Sequence, residues 1–286
     1  MQVSALWGWR YLILRRVVQI GLLLLFFGTL HWGWSLFGQP LLSGNLSASK
    51  VLGQVPLADP FAALQILLTG HVLQTEVLLG AGLVLSFFLL IGGRVWCSWV
   101  CPVNLVTDFA GLLHQKTWRR NLFALPQSLR YTVLALALLL SIVIGLPAFE
   151  WVSPIGAMHR EIIYGLGMGW TALLGIFLFD WLVVKHAWCG HLCPLGAFYA
   201  LLGHKTAQLR VQFDRDTCNS CGDCAVVCPE PQVLNLRRLE QDGQVLSGAC
   251  TNCGRCIPIC PKDSLAFGWR LQKRRPGSLP LKENIR

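Results

Sequence analysis

The sequence predicts an α-helical membrane protein with four transmembrane helices in two hairpins, followed by a small C-terminal α+β domain. Three observations carry this reading. Of the 286 residues, 54% are apolar and 13% are charged, about half the charged share usual in soluble proteins. Four apolar runs stand out as candidate helical spans, each of which needs ~20 residues. Eight of the twelve cysteines lie between Cys218 and Cys260, where the apolar runs have stopped.

The first run extends from about Val17 to Phe37. Arg10, Arg15 and Arg16 before it resemble the start of a signal peptide, but the run is long and lacks a small-x-small cleavage site. It reads as an uncleaved span. The second run covers Val72 to Val95, the third Tyr131 to Phe149 and the fourth Trp170 to Val184. The fourth is short and contains Asp180. Orientation follows from the basic residues. Lys50 is the one Lys or Arg between Gly38 and His71, and Arg160 the one between Glu150 and Gly169. The remaining twenty-two of the 24 lie at or beyond the opposite ends of the runs, among them Lys116, Arg119 and Arg120 in the central loop. The N-terminus, that loop and the C-terminal region are therefore expected in the cytoplasm. The net charge of +10 reads as this topology signal plus attraction to anionic lipid, and makes no case for nucleic acid.

The membrane part looks duplicated. Trp96 to Pro102 reads WCSWVCP, and ninety-two residues later Trp188 to Pro194 reads WCGHLCP. Each phrase closes a hairpin. Each hairpin also has an external loop with a proline followed by a helix-like stretch, PFAALQILLTG from Pro60 and PIGAMHREIIYG from Pro154. Two halves running in the same direction would be related by an axis along the membrane normal.

The chain divides into residues 1–203, the four-helix membrane domain, and 204–286, a soluble domain with a basic tail. The soluble part holds CNSCGDCAVVCPEP from Cys218 and CTNCGRCIPICPKD from Cys250. Each is Cys-x2-Cys-x2-Cys-x3-Cys-Pro, the run of bacterial two-cluster ferredoxins, whose fourth cysteine serves the other cluster. Cys218, Cys221, Cys224 and Cys260 should hold one [4Fe–4S] cluster. Cys250, Cys253, Cys256 and Cys228 should hold the second. Zinc shares Cys-x2-Cys and disulfides suit secreted cysteine-rich domains, but two complete four-cysteine copies point to cubanes. The expected fold is a β-hairpin and a short helix per half, with the metal contributing directly to folding.

Within WCSWVCP and WCGHLCP, Cys97 and Cys101, and likewise Cys189 and Cys193, stand at i and i+4. On a helix each pair shares a face. Four converging thiols suit an iron–sulfur cluster, zinc or copper(I). A dithiol–disulfide pair and plain apolar packing are the other readings. The tryptophans read as interface anchors.

WCSWVCPVNLVTD, FLFDWLVVKHAWCGHLCPLGAFY and CPEPQVL resemble the NapH family of ferredoxin-type membrane proteins of periplasmic nitrate reduction, over nearly the whole chain. The resemblance implies a quinol dehydrogenase component. It would work with a NapG-like periplasmic iron–sulfur protein and a NapC-like cytochrome, toward the periplasmic nitrate reductase. Oxidising quinol needs an apolar slot, a hydrogen-bond acceptor and a proton exit. The candidates are His71, Glu76 and Asp180, with Glu150, His159 and Glu161 in the second external loop. Asp180 is expected to pair with Arg94 or His186, and His114 and His204 read as surface residues of basic loops.

Two related families share the cysteine pattern. MauN of methylamine dehydrogenase systems is similar to NapH. CcoG, a copper-handling oxidase-assembly factor, would carry a further C-terminal sandwich domain, for which the sixteen residues after Arg270 leave no room. A membrane scaffold for other carriers is the third alternative.

Overall fold

The computed structural model describes residues 3–117, 122–165 and 167–271. Arg119, Arg120 and the basic tail beyond residue 271 lie outside them. In chain order the elements are α1 (Val3–His31), β1 (Ser35–Leu36), β2 (Gln39–Pro40), β3 (Leu42–Gly44), β4 (Ala48–Val51), β5 (Val55–Ala58), α2 (Pro60–Leu68), α3 (Thr75–Ile91), α4 (Val95–Trp99), α5 (Val103–Thr117), α6 (Leu129–Ile144), α7 (Ala148–Val152), α8 (Pro154–Tyr164) and α9 (Gly169–Leu182). A π-helical turn (Trp188–Leu192) leads to α10 (Pro194–Thr206), β6 (Leu209–Phe213), α11 (Asp223–Val227), a 3-10 turn (Pro231–Leu234), α12 (Leu236–Asp242), α13 (Cys256–Ile259) and β7 (Leu265–Trp269). They form two compact units, neither contiguous in sequence. One joins Arg16–Phe87 to Trp99–Phe198, and the other joins Met1–Arg15, Phe88–Ser98 and Tyr199–Arg286. The expected boundary after residue 203 falls inside α10.

The first unit is mostly helical. Among the described helices α1 alone is long and apolar enough to cross a bilayer, over the 22 residues Arg10–His31. The apolar helices α3, α6 and α9 have 17, 16 and 14 residues. The expected run to Phe37 is cut short at His31. Phe37 and Gly38 adopt φ of 54° and 76° and form the two-residue loop between β1 and β2, a turn that needs positive φ at both positions. The strands β3, β4 and β5 follow as an antiparallel sheet in that order.

Both proline-led stretches are helices, for the same local reason. Pro60 and Pro154 sit where a helix needs no backbone N–H. The residue before each supplies the cap. Asp59 accepts from the Phe61 amide at 3.1 Å, and Ser153 accepts from the Gly156 amide at 3.5 Å. The side chains of this unit are arranged with polar groups inside. Gln19, Gln65, Thr107, Ser141 and Asp180 are completely buried, whereas Val143 is 81% and Leu79 65% exposed. Gln65 Oε1 accepts from the Phe149 amide at 3.0 Å, and Arg16 Nη2 donates to Asp108 at 2.5 Å.

The second unit is organised by one antiparallel pair. β6 and β7 run in register from Leu209↔Trp269 to Phe213↔Leu265, so the ends of the cysteine-rich segment are tied together. A hairpin in each half was expected; instead each half contributes one strand and one short helix after its cysteine triplet. The second strand of the first half is reduced to the bridge Gln212↔Gln244. The core is small and is itself partly cysteine: Val211, Phe213, Leu239, Val245 and Leu265 pack with Cys228 and Cys256. Close backbone approach is secured by glycines. A Cβ on Gly93 would stand 2.1 Å from the Tyr199 carbonyl oxygen, and one on Gly248 2.0 Å from that of Ala200.

Candidate metal centres

The eight cysteines of the second unit line two cavities. One is bounded by Cys218, Cys221, Cys224 and Cys260, with Phe213, Leu239 and Leu265 behind them. The other is bounded by Cys228, Cys250, Cys253 and Cys256, with Val211, Val233, Glu230 and Arg255. Each therefore collects three thiols from one motif and one from the other. Among the described residues no three His, Cys, Asp or Glu side chains close on a point that could hold a single ion; these thiols surround a space.

Matched backbone geometry produces the two cradles. Ser220 and Asn252 have φ of 56° and 48°, and Gly222 and Gly254 have φ of 81° and 74°. Glycine meets the left-handed requirement without strain; Asn tolerates it better than most residues. After each triplet a single helical turn ends on an extended cysteine, Cys228 (ψ 131°) and Cys260 (ψ 114°). Pro229 and Pro261 account for this, because the residue before proline is driven out of the helical region. That break turns the fourth thiol toward the other half. Backbone amides also point at sulfur: Ser220 N at 3.4 Å from Cys218 Sγ and Ser264 N at 3.3 Å from Cys260 Sγ.

Burial pushes the thiols of Cys228 and Cys256 well above their ordinary range, that of Cys250 up to about 11, and that of Cys224 upward. Without metal these groups hold their protons, and a metal must displace them to bind. Four sulfur donors with apolar side chains behind them and amides aimed at sulfur fit an iron–sulfur cluster in each cavity.

Charged groups beside the second cavity escape a motif-based reading. Arg94 Nη1 donates to Glu230 Oε1 at 2.6 Å and to the Ala249 carbonyl at 2.9 Å. Glu230 lines the cavity. Of the two partners expected for Asp180, Arg94 or His186, Arg94 pairs with Glu230. One signal was available: a lone arginine at the end of an apolar run is costly without a partner. Arg210 on β6, buried as well, gave no sequence signal.

The Trp-Cys-x3-Cys-Pro phrases are not regular α-helix. α4 ends at Trp99, before Cys101. Cys189 lies in the π-helical turn, and Cys193 just beyond it is extended with ψ of 112°. Pro102 and Pro194 explain both breaks, so the shared-face argument from i, i+4 spacing does not apply. Two other thiols of the first unit nevertheless act on Cys189. Cys189 is raised well above its ordinary range by burial, then by Cys101 and Cys193, and is lowered by Thr107, whose Oγ1 is 3.5 Å away. Cys97 lies on α4 in the other unit.

The remaining candidates are spread apart. His71 is exposed in the segment between α2 and α3. Glu76 is exposed and pairs with Lys50 at 2.6 Å. Asp180 is fully buried; its Oδ1 accepts from the Trp188 amide at 2.9 Å and so anchors the π-helical turn. Glu150 accepts from Ser47 Oγ, and Glu161 accepts from the Gly169 amide at 2.9 Å. His159 is buried edge-on to Phe26, ring centroids 4.8 Å apart. His114, expected at the surface, is buried in α5 with Nδ1 2.7 Å from the Trp181 carbonyl oxygen. An amphipathic helix places it inward, which a reading of the segment as a loop missed.

Comparison with known proteins agrees with this geometry. A family described as a 4Fe-4S binding domain matches residues 73–121 and 166–210, each segment containing one Trp-Cys-x3-Cys-Pro phrase. A family described as a 4Fe-4S dicluster domain matches residues 210–261. The methylamine utilization ferredoxin-type protein MauN of Methylorubrum extorquens is 46% identical over 77% of this chain and 75% of its own. The ferredoxin-type protein NapH of Escherichia coli is 41% identical over 83% of each chain. The NapH of Haemophilus influenzae is 41% identical over 80% of this chain and 79% of its own. No solved structure matches.

Proposed function

Since the chain belongs to the family of NapH and MauN ferredoxin-type proteins, we propose that it is the membrane iron–sulfur component of a quinol dehydrogenase, passing electrons from quinol toward a periplasmic nitrate reductase. The observation that carries the electron-transfer part is the pair of cavities, each ringed by four cysteines drawn from both motifs. Two bound [4Fe–4S] clusters would supply one-electron redox chemistry. The chain's own contribution is to hold eight thiols, exclude water with Phe213, Val211 and Leu239, and direct amides at sulfur. NapG-like and NapC-like proteins are the expected partners.

The membrane assignment rests on an inverted surface. α1, α3, α6 and α9 would be the four spans, with the N-terminus and the cluster-bearing domain in the cytoplasm. Large apolar side chains on them are exposed, among them Leu79, Leu83, Val143 and Leu174, while Gln19, Ser141 and Asp180 are completely buried. Apolar residues facing outward and polar ones facing inward suit lipid. Cys101, Cys189 and Cys193 would form a further redox or metal site, which the match of both phrases to a 4Fe-4S binding domain supports. As a quinol residue Asp180 is the best supported of the three candidates, being a buried acid within a span.

The 46% identity to MauN favours one second reading, electron transfer in amine oxidation. A deletion strain separates the two. Loss of quinol-dependent periplasmic nitrate reduction, with reductase activity kept on an artificial donor, supports the first. Loss of growth on methylamine with nitrate reduction unchanged supports the second. Loss of reductase activity on the artificial donor too would point to maturation and overturn both.

A further inference from the structure

Arg16 and Gln19 lie one turn apart on α1, inside the stretch Arg10–His31 that is long enough to cross a bilayer. Gln19 is completely buried. Its Nε2 donates to the Cys101 carbonyl at 3.2 Å and to Asn104 Oδ1 at 3.3 Å, and its Oε1 accepts from Arg16 Nη1 at 2.7 Å. Arg16 Nη2 donates to Asp108 at 2.5 Å. All five residues belong to the first unit. A guanidinium has donors only, so Arg16 fixes which end of the Gln19 amide faces it and turns the NH2 group toward Cys101. A buried amide in a span is costly and points to a role beyond filling space.

What Gln19 grips is a break in the chain. α4 ends at Trp99 and α5 starts at Val103, so Cys101 lies in neither helix. Pro102 forces this break. The Asn104 amide also donates to the Cys101 carbonyl, at 3.3 Å, and Gln19 bonds both residues, tying Cys101 to the first turn of α5. The same helix then reaches the other cysteine phrase. Thr107, one turn after Asn104, is completely buried, and its Oγ1 lies 3.5 Å from Cys189 Sγ. The start of α5 therefore stands between the Gln19 amide and the Cys189 thiol. Gln65, the other completely buried glutamine of this unit, is used differently: it serves the Phe149 amide at 3.0 Å and Ser141 Oγ at 3.5 Å.

We infer that Gln19, oriented by Arg16, is the positioning residue that holds Cys101 in place for the thiol site it shares with Cys189 and Cys193. This rests on the reading of those three thiols as one site, given above. Gln19 acts through the Cys101 carbonyl and is not a ligand. With that carbonyl held, a thiol on an irregular segment keeps its direction, as outer partners of metal ligands do elsewhere.

The test uses the full-length protein purified anaerobically from membranes. Iron, zinc and copper are counted per chain, and alkylation of each cysteine by N-ethylmaleimide is followed by mass spectrometry. Gln19→Met keeps the volume and removes the hydrogen bonds. Metal in excess of the about eight irons of two cubanes should fall, since losing an outer partner lowers metal affinity about 10–100-fold. Cys101 alkylation should rise about tenfold, the factor that loss of one buried hydrogen bond allows. The eight cysteines of the two cavities should react as in the wild type. Gln19→Glu keeps an oxygen for Arg16 but has no donor for Cys101, so it should behave as Gln19→Met does. Gln65→Met, an equal loss of a buried amide in the same unit, should leave both readouts unchanged. Unchanged Cys101 alkylation in Gln19→Met, wild-type behaviour of Gln19→Glu, or an equal effect of Gln65→Met would overturn the inference. If neither Gln19 variant is recovered folded, Arg16→Lys decides. One ammonium cannot reproduce the fork that holds Gln19 and Asp108, and an unchanged Cys101 alkylation rate there overturns the proposal. A wild type with no metal beyond the two cubanes would instead overturn the metal reading of the three thiols, and Cys101 alkylation alone then judges Gln19.

Discussion

Arg94 and Glu230, 136 residues apart in sequence, meet at 2.6 Å with their side chains 1% and 5% exposed. The pair joins the end of an apolar run to the loop after Cys228. Removing one partner from such a pair leaves a buried charge and costs about 3–5 kcal/mol, whereas replacing both by apolar groups is often neutral. Arg94→Met and Glu230→Leu should each lower the unfolding temperature and iron retention markedly. The double variant should recover most of the loss. Additive losses in thermal unfolding of the three proteins would show that the charges do not act as a pair.

The crossing ligands predict an asymmetric outcome. Cys221→Ser and Cys260→Ser sit in different motifs but on the same cavity, so both should lose the same cluster signal. Cys228→Ser should lose the other. Iron should fall from about eight to about four per chain in each case. Loss of the same signal in Cys221→Ser and Cys228→Ser would break the assignment.

Cys101, Cys189 and Cys193 should behave as one unit. The coupling of the Cys189 thiol to the other two motivates this. Serine at any one should lower quinol-dependent electron transfer by a similar factor, and a second serine should add little. Independent, multiplying losses measured in membranes would separate them into unrelated sites.

Asp59 couples the cap of α2 to pH. Burial, reinforced by the Glu150 charge, raises its carboxyl from 3.8 to about 7. The folded protein therefore holds a proton here that the unfolded chain releases. The stabilisation is fully present below about pH 3.8 and is lost as pH rises through about 7. Asp59→Asn keeps a capping oxygen without titrating. Its unfolding temperature should fall less than that of the wild type between pH 4 and 7.5, and parallel curves would exclude Asp59 as the source.

The ferredoxin-type centres were legible because their constraint is local. Cys-x2-Cys-x2-Cys places three thiols on one turn, and the proline after the fourth cysteine breaks the helix and sends that thiol across. The capped starts of α2 and α8 were equally readable, since a proline and the residue before it decide them. The family resemblance to NapH and MauN followed from the same strings of residues.

Tertiary structure alone decided the partners of groups far apart in sequence. Asp180 carries no mark in the sequence that it accepts from the Trp188 amide, nor Arg94 that it faces Glu230. The π-helical turn at Trp188–Leu192 also overrode the i, i+4 geometry on which the pairing of Cys189 with Cys193 depended. Backbone breaks and cysteine triplets are set by torsional preferences within a few residues. Pairing of buried charges depends on which distant segments the packing brings together, and no local pattern encodes that choice.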